Sequence, residues 1–193
     1  MMSFIFYEGH FSLTDKATLE DTGVYLFMEP FNSTSCEKAI RYVLEMNLLP
    51  SKSRPKHLTF VINSPGGSVS DCFALIDTMK GSAIPIHTVG IGSIASCGLI
   101  LFMSGEKGHR LITPNTSILS HQYSWGTGGK EHELIATVRE FNLTAERIIA
   151  HYKKCTGLSE KDIRKKLLPP EDVWLDAKDA IKYGIADRIV TTY

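Results

Sequence analysis

The sequence predicts an α/β fold in which helices flank a mainly parallel sheet. Short apolar runs typical of buried strands occur at 24–28, 58–62 and 86–91. Stretches with apolar residues at helical spacing lie between these runs, and glycine-rich turns follow the second and third. Strands that alternate with helices indicate a parallel sheet, because each crossover helix returns the chain to the same edge. The length of 193 residues favours one domain, over 1–193.

The expected elements follow in order, and each takes its bounds from apolar spacing and capping residues. The first half gives a strand at 24–28, a helix from Ser33 to about Asn47 with Ser33 or Ser35 as N-cap, a strand at 58–62 and a helix from about Ser70 to Lys80. The second half gives a strand at 86–91, a helix at 96–104, short strands at 110–112 and 117–120, a long helix at 130–155 closed by Gly157, helices at 159–166 and 176–183 capped by Ser159 and Asp176, and a last strand at 185–190.

The composition excludes several classes of function. Lys and Arg number 21, as do Asp and Glu, so no basic face for nucleic acid is expected. No apolar stretch approaches the ~20 residues that cross a bilayer, and the N-terminus lacks the basic segment of a signal peptide. We therefore expect no membrane partner. The cysteines have no zinc-site spacing, which favours reduced thiols, no metal, and a cytoplasmic or other reducing compartment. They are Cys36, Cys72, Cys97 and Cys155.

Two glycine-rich segments carry the pattern of an acyl-transfer site. Ser64-Pro65-Gly66-Gly67-Ser68-Val69 follows the run at 58–62, and Gly92-Ser93-Ile94-Ala95-Ser96-Cys97-Gly98 follows the run at 86–91. A serine among small residues at a strand-to-helix junction can be an exposed nucleophile. A second glycine turn nearby can supply backbone N–H groups to an oxyanion.

The chain resembles the proteolytic subunit of the Clp protease, the ClpP family, through four motifs in the same order. They are the segment at 64–69, Asp77-Thr78-Met79, Ala95-Ser96-Cys97-Gly98 and Ser120-His121-Gln122. The similarity runs from about Leu58 to Val190. It implies a ClpP/crotonase-like fold with a protruding handle helix, and a serine endopeptidase that hydrolyses unfolded proteins to short peptides.

The resemblance also implies partners. Subunits of the family form a homo-tetradecamer of two stacked heptameric rings around a closed chamber. A hexameric AAA+ unfoldase would supply substrate and use the ATP, so no cofactor is expected in this chain. Within the chain, the resemblance implies an N-terminal axial segment at 1–22 and a handle region at about 121–155.

A triad of Ser96, His121 and Asp172 follows from the resemblance, as nucleophile, base and orienting acid. Ser93 is the rival nucleophile, and the resemblance selects Ser96. His121 follows an apolar run that would deliver a rigid imidazole from the end of a strand. Each residue also has an alternative interpretation without a catalytic role. Ser96 could be a small packing residue in an apolar helix, His121 a hydrogen-bonded histidine at a strand end, and Asp172 an exposed carboxylate in a loop.

The remaining site residues also come from the resemblance. The backbone N–H groups of Gly67 and Cys97 would form the oxyanion hole, with the Cys97 thiol a bystander. Ser68, Val69 and Tyr123 would contact substrate, because the segments that contain them, at 67–69 and about 123–129, could pair as edge strands with an extended peptide.

The sequence departs from the family pattern at several places. Tyr123 stands where the family usually has proline, and Trp125 stands where small or aliphatic residues are common. Glu171 replaces an arginine that in the family pairs across the rings, and we hypothesise that it pairs with a lysine such as Lys130 on the facing handle. Residues 1–22 match poorly, so the resemblance does not carry the unfoldase contact.

Other functions fit parts of the pattern. A catalytically idle subunit that co-assembles with an active paralogue would usually lack triad members. A crotonase-type acyl-CoA enzyme shares the fold but relies on other acids. Gly90-Ile91-Gly92-Ser93-Ile94-Ala95 satisfies a dinucleotide-binding fingerprint after a strand, without a clear acidic partner. His132-Glu133 does not make a zinc motif, because Ala136 stands where the second histidine would be.

Overall fold

The structure is a computed structural model that describes residues 18–193. The expected axial segment at 1–22 therefore lies mostly outside the described residues, and only the end of it, a 3-10 turn at Glu20–Thr22, is described. The strands are β1 (Val24–Phe27), β2 (Leu58–Ser64), β3 (Ile86–Ala95), β4 (Arg110–Ile112), β5 (Ser117–Ser120), β6 (Val173–Leu175) and β7 (Arg188–Ile189). The helices are α1 (Ser33–Leu48), α2 (Val69–Gly81), α3 (Cys97–Met103), α4 (Glu131–Thr156), α5 (Glu160–Lys166) and α6 (Ala177–Lys182).

The sheet confirms the predicted α/β class with mainly parallel strands. Strands β1, β2, β3, β4 and β7 lie side by side in that order, all parallel. The second half of β3 pairs instead with β5, also parallel, and β6 closes that side as an antiparallel strand. Crossover helices between parallel neighbours account for this arrangement, as the alternation in the sequence predicts.

The core lies where β2 and β3 meet the helices. Leu58, Phe60 and Ile62 of β2 are fully buried. All seven residues of α3 are buried, and this helix contacts β2, β3, β5, α2 and α4. A helix that is apolar on every side is stable only in such a central position. The start of α3 is therefore held from several directions at once.

Strand β3 is longer than predicted and is bent. The sequence indicates an end near Ile91, whereas β3 runs to Ala95. Pairing with β2 passes from Ile62 opposite Gly90 to Ser64 opposite Ile94, so β3 carries extra residues there. Such a bulge bends the strand, which lets β3 exchange β4 for β5 as its neighbour. The dinucleotide interpretation of 90–95 is wrong, because that fingerprint requires a turn into a helix rather than a continuing strand.

The helices follow the predicted bounds closely, and one cap differs. Asn32, not Ser33 or Ser35, caps α1: its Oδ1 accepts the Ser35 N–H at 3.0 Å, and Ser35 Oγ accepts the Asn32 N–H at 3.1 Å. This reciprocal capping box satisfies two N–H groups that the helix leaves free. Helix α4 ends at Gly157 as predicted, where the φ of 78° suits glycine.

The last part of the chain differs more from the prediction. The strand expected at 185–190 is reduced to β7, because the N–H groups of Ile185 and Ala186 both bond the Ala180 carbonyl after α6. Strand β6 is not indicated by the sequence pattern. It forms because 173–175 lie along β5.

Helix α4 has two unlike halves. Its C-terminal half is buried through Ile148, Ile149, His151 and Tyr152. Its N-terminal half exposes apolar side chains. These are Ile135 at 64%, Val138 at 46% and Leu143 at 54% exposure. This exposed half and the segment at 121–130 lie within the range 121–155, where the resemblance predicts a handle. That role stays a prediction, and α4 is called the handle helix below.

Candidate active site

Ser96 lies at the sharp junction of β3 and α3. Its φ is 55° and its ψ is −119°, and among residues 18–193 it is the one non-glycine residue with positive φ. Its N–H donates to the Leu119 carbonyl at 2.9 Å, and its own carbonyl accepts the Leu99 N–H at 3.0 Å. Ser96 thus makes both the last backbone hydrogen bond between β3 and β5 and the first backbone hydrogen bond of α3. A side chain in such a disfavoured conformation persists only where surrounding structure imposes it, which is typical of nucleophile positions.

The glycine turn after β2 packs directly against this junction. A Cβ on Gly66 would lie 2.6 Å from the Ser96 Cβ and 2.9 Å from the Ala95 carbonyl oxygen. Gly67, with a φ of 145°, lies so close to Phe31 that a Cβ would collide with the Phe31 carbonyl oxygen. Gly98 closes the contact from α3, since a Cβ there would lie 2.9 Å from the Ser64 carbonyl oxygen. Three glycines are therefore required by close backbone approach.

Hydrogen bonds hold the glycine turn in place. The Phe31 N–H donates to the Gly66 carbonyl, and the Ser68 N–H donates to the Phe31 carbonyl, both at 2.9 Å. Ser64 Oγ donates to the Glu29 carbonyl at 2.7 Å and accepts the Gly66 N–H at 3.2 Å. Ser64 is a positioning residue that sequence reasoning missed. Its role follows from its burial at the end of β2 and from these two bonds, neither of which is visible in the sequence.

The predicted oxyanion donors lie on either side of the junction. Cys97 is the first residue of α3, and the first N–H groups of a helix have no acceptor within it. The two backbone hydrogen bonds to Phe31 are made by Gly66 and Ser68, so they do not use the Gly67 N–H. Gly67 also lines the cavity beside Ser96. The Cys97 thiol donates to the Gly67 carbonyl at 3.2 Å and so ties the two segments together. Burial raises the pKa of the neighbouring Cys72 thiol, which donates to the Cys97 carbonyl at 3.5 Å.

His121 follows directly after β5 and lines the same cavity as Ser96. Its Nδ1 lies 2.6 Å from the Gln122 carbonyl oxygen. A carbonyl oxygen can only accept, so Nδ1 carries the proton and the neutral ring has its lone pair on Nε2. That tautomer is the one a general base needs.

Asp172 is not among the residues that line the cavity, and it is exposed. Continued by one position beyond its last pair, the β5–β6 register would set it opposite His121. The register runs from Ile118 opposite Leu175 to Ser120 opposite Val173, and the next position of each strand is His121 and Asp172. Directly opposite residues have Cβ atoms roughly 5 Å apart in an antiparallel pair. In this structure the Nδ1 proton goes to the Gln122 carbonyl instead.

The predicted substrate-contact residues have different surroundings. Val69 and Tyr123 line the cavity beside Ser96. Ser68 is the N-cap of α2, since its Oγ accepts the Asp71 N–H at 3.4 Å, and Val69 is the first residue of that helix. The backbone geometry of these two residues is that of a helix start, and the Ser68 N–H is already bound to Phe31. The segment at 67–69 pairs with Phe31 through an isolated parallel bridge at Gly67, and its pairing with an extended peptide on its other side stays a prediction.

Two of the residues that depart from the family pattern, Tyr123 and Trp125, form one aromatic cluster with Phe141. Tyr123 stacks on Phe141 of α4 with 5.5 Å between ring centroids, and Trp125 approaches the same ring at 4.8 Å. Aromatic pairs of this kind contribute about 1 kcal/mol beyond their burial. The cluster fastens the segment after His121 to the handle helix.

A buried bond chain anchors the strand that carries His121. Ser120 Oγ donates to the Leu167 carbonyl at 2.5 Å and accepts the hydroxyl of Tyr152 at 2.9 Å. Both side chains are buried, and burial raises the pKa of Tyr152. Sequence reasoning missed both positioning residues, because their contact joins distant parts of the chain.

Two negative findings apply to residues 18–193. No group of three or more His, Cys, Asp or Glu side chains in that range is arranged to hold a metal ion. In the same range, no helix combines the length and the apolar character needed to cross a membrane. All four cysteines fall within the range and are free thiols.

The comparison with known families decides the membership of this chain. The family model described as Clp protease matches residues 14–193. The chain belongs to the Clp protease family. The match confirms the resemblance that four motifs indicated between about Leu58 and Val190, and it extends that resemblance to residues 14–193. Clp proteases are serine peptidases.

Curated Clp protease subunits from several bacteria are similar over most of their length. The "ATP-dependent Clp protease proteolytic subunit 1" of Chlamydia muridarum is 34% identical over 183 residues, which cover 94% of this chain and 92% of that protein. The subunit 1 of Chlamydia trachomatis serovar D is 34% identical over 181 residues, covering 93% and 91%. The "ATP-dependent Clp protease proteolytic subunit 2" of Thermobifida fusca is 34% identical over 155 residues, covering 80% and 75%.

Proposed function

We propose that this chain is a serine endopeptidase subunit of an ATP-dependent Clp protease, in which Ser96 is the nucleophile, His121 the base and Asp172 the orienting acid. The observation that carries the proposal is the conformation of Ser96. A serine with positive φ lies between two glycine segments and shares a cavity with an imidazole whose Nε2 can accept a proton. Membership of the Clp protease family supports the same chemistry.

The reaction would proceed through an acyl-enzyme. Ser96 Oγ attacks the peptide carbonyl carbon while its proton passes to His121 Nε2. The N–H groups of Gly67 and Cys97 stabilise the oxyanion. When the tetrahedral intermediate collapses, the C–N bond breaks and the amine leaves with the proton from Nε2. Water then attacks the ester by the same route in reverse, which releases the peptide acid and restores Ser96.

Asp172 has a defined part in this scheme. The imidazolium that forms on His121 carries a positive charge, and a carboxylate beside Nδ1 stabilises it better than a neutral carbonyl does. His121 and Asp172 follow the last β5–β6 pair, Ser120 opposite Val173, and in this scheme a change of side-chain rotamer would bring the carboxylate toward Nδ1. The Gln122 carbonyl holds the reactive tautomer until then.

The assembly is part of the proposal. The exposed apolar side chains of the handle helix, Ile135, Val138 and Leu143, suit burial against another copy of this chain. By analogy with the family, two heptameric rings would stack through these helices and enclose the catalytic sites. A hexameric AAA+ unfoldase would deliver unfolded proteins and use the ATP. The chain itself would need no cofactor, in a cytoplasmic or other reducing compartment, and would bind neither nucleic acid nor membrane.

The first test is covalent labelling of the serine. A fluorophosphonate forms a bond from serine Oγ to phosphorus with loss of fluoride, and only an activated serine reacts quickly. Intact mass should show one adduct per chain in the wild type and in Ser93→Ala, and none in Ser96→Ala. An adduct that persists in Ser96→Ala, or no adduct on folded wild-type protein, would contradict the assignment.

A further inference from the structure

The cavity beside Ser96 is unusually small for a site that must receive a side chain. Its volume is about 50 Å³, and Ser96 and His121 lie at its mouth. By comparison, a cavity of roughly 150 Å³ inside a protein accepts one benzene ring. The space next to the nucleophile therefore holds a methyl or hydroxymethyl group and excludes a phenyl or isobutyl group.

Four side chains with large apolar surfaces are among those that line this space. The walls are Val69, Ile100 and Ile148, and the ring of Tyr152, 1% exposed, is the fourth. The Tyr152 hydroxyl donates to Ser120 Oγ, which is itself bound to the Leu167 carbonyl. Rotation of the ring would leave a buried hydroxyl without a partner, which is costly. Tyr152 therefore does not move aside for a larger group.

A second, larger cavity lies behind one of these walls. Its volume is about 420 Å³, and its lining includes Phe141, Ile149 and Leu168. Gln122, Tyr123 and Ile148 line both cavities. The Ile148 side chain is 6% exposed and stands between the two spaces. Shortening it would join the small cavity to the large one.

We propose that the small cavity is the subsite for the residue on the acyl side of the cleaved bond, and that Tyr152 and Ile148 restrict that residue to Gly, Ala or Ser. The proposal rests on the proposed function, since it assumes acyl transfer to Ser96. A well-packed site resists insertion of extra methylene groups, because its side chains must leave their rotamers. One surplus methylene group in an apolar pocket changes kcat/KM by about 10-fold to 200-fold.

The test uses short peptides that differ only at this position. A series with Ala, Ser, Val, Leu or Phe before a single cleavable bond is incubated with the full-length chain, and products are quantified by mass spectrometry. The kcat/KM for Ala should exceed that for Leu or Phe by at least roughly 10-fold. Equal or better cleavage after Leu or Phe would overturn the proposal.

Matched variants separate the specificity from folding. Ile148→Ala and the milder Tyr152→Leu should each raise the ratio of kcat/KM for Leu over Ala by about 10-fold. Ile149→Ala is the control, because Ile149 is equally buried but lines the large cavity and not the small one. Tyr152→Phe keeps the ring but removes the hydroxyl that holds it, so its ratio should lie between those of the wild type and Tyr152→Leu. A ratio that does not change in either opening variant would overturn the roles of Ile148 and Tyr152.

The two proposals fail in distinguishable ways. Fluorophosphonate labelling at Ser96 together with cleavage after large residues would reject the small subsite and leave the proposed function intact. Neither labelling nor cleavage in the folded wild-type chain would reject both. Thermal unfolding of each variant identifies a loss of cleavage that comes from unfolding, and the ratio of the two substrates is independent of the amount of folded protein.

Discussion

Ser96 and His121 face one cavity, but the chain holds them by different means. On the nucleophile side, Gly66, Gly67 and Gly98 bring three backbone segments into contact around the β3–α3 junction. Each contact is between backbone atoms or directly bonded carbons. Ser96 is half-buried and Gly67 is exposed, so these close backbone contacts, rather than burial, leave little freedom to Ser96.

The base side relies on side chains and on exposed segments. His121 is half-buried, Asp172 is exposed, and the segment from Gln122 to Gly129 has no regular secondary structure. That segment is held to the handle helix through Tyr123, Trp125 and Phe141.

The difference indicates which half of the site one copy of the chain completes by itself. If the proposed roles hold, the nucleophile and its oxyanion donors lie on the side fixed by backbone contacts, and preorganised donors of this kind are usually the larger contribution to acyl transfer. On the other side, the Gln122 carbonyl accepts the Nδ1 proton of His121, and the proposal adds the Asp172 carboxylate as a second partner. We expect substitutions that add bulk to reduce activity most on the nucleophile side. On the base side, we expect substitutions that change charge or assembly to have the larger effect.

The largest effect is expected from Gly67→Ala. The added Cβ would collide with Phe31, and the φ of 145° is disfavoured for alanine. The turn must shift, which displaces one oxyanion donor, so kcat/KM should fall by about 10²-fold to 10³-fold. Peptide hydrolysis and thermal unfolding measure the effect. Gly126→Ala is the control on the base side, since a Cβ there meets no atom within 4 Å. Equal activity of the two variants would contradict the rigidity of the nucleophile side.

A smaller effect is expected from Asp172→Asn. Loss of the carboxylate removes the charge that stabilises the imidazolium, but the Gln122 carbonyl still holds the reactive tautomer. We expect kcat to fall by about 10²-fold, less than the ~10⁴-fold seen where the wrong tautomer results. Asp176→Asn is the matched control, because Asp176 caps α6 at 2.8 Å and asparagine caps equally well. Unchanged kcat in Asp172→Asn would mean that the carbonyl alone orients His121.

The anchoring of the handle helix should depend on pH through His151. Its Nε2–H donates to the Ile100 carbonyl at 3.0 Å, and burial together with Lys80 lowers its pKa from 6.5 to about 4. Between these values the unfolded chain binds a proton that the folded chain does not, so stability falls as pH falls from 6.5 to 4. The loss for such a buried group is on the order of 3 kcal/mol.

Denaturant unfolding at several pH values tests this dependence. His151→Gln keeps a donor for Ile100 but does not titrate, so its stability should vary less across the window. His132→Gln is the control on the same helix, because the His132 side chain is 77% exposed. Parallel pH curves for the wild type and His151→Gln would show that His151 does not set the dependence.

The smallest effect is expected at the proposed contact between handles. If Glu171 pairs with Lys130 of a facing copy, Glu171→Arg should weaken the association of rings, and sedimentation velocity should show more of the smaller species at moderate salt. The exchange Glu171→Arg with Lys130→Glu should restore the larger species. A single exposed ion pair contributes up to about 1 kcal/mol, so the shift is modest. Sedimentation and activity that are unchanged in Glu171→Arg would reject the pair.

Much of the fold could be predicted because its signals are local. Apolar runs identified six of the seven strands, the last of them longer than observed, and the spacing of apolar residues with Ser159, Asp176 and Gly157 placed the helices to within two residues. Strand β6 was not predicted, because residues 173–175 become a strand only by pairing with β5. The cap of α1 was assigned to the wrong residue because several polar residues lie together there and only the geometry selects Asn32.

The candidate site divides in the same way. The glycine motifs and the position of Ser96 among small residues were visible in the sequence, and the roles of Ser96, His121 and Asp172 stay predictions that the labelling and mutations above test. The hydrogen bonds by which Ser64 holds the glycine turn, and the bond between Tyr152 and Ser120, could not be predicted from the sequence. A hydrogen bond between residues 32 positions apart leaves no periodic or compositional trace.

The sequence by itself determined the class of fold, the order of its elements and the family, because these depend on residue type and spacing along the chain. The tertiary structure alone decided the bend of β3, the positive φ of Ser96, the pairing of β5 with β6 that ends beside His121 and Asp172, and the 50 Å³ cavity that Ser96, His121 and Tyr152 line. Each of these arises where segments distant in sequence compete for the same space, and close packing permits only one arrangement of their atoms.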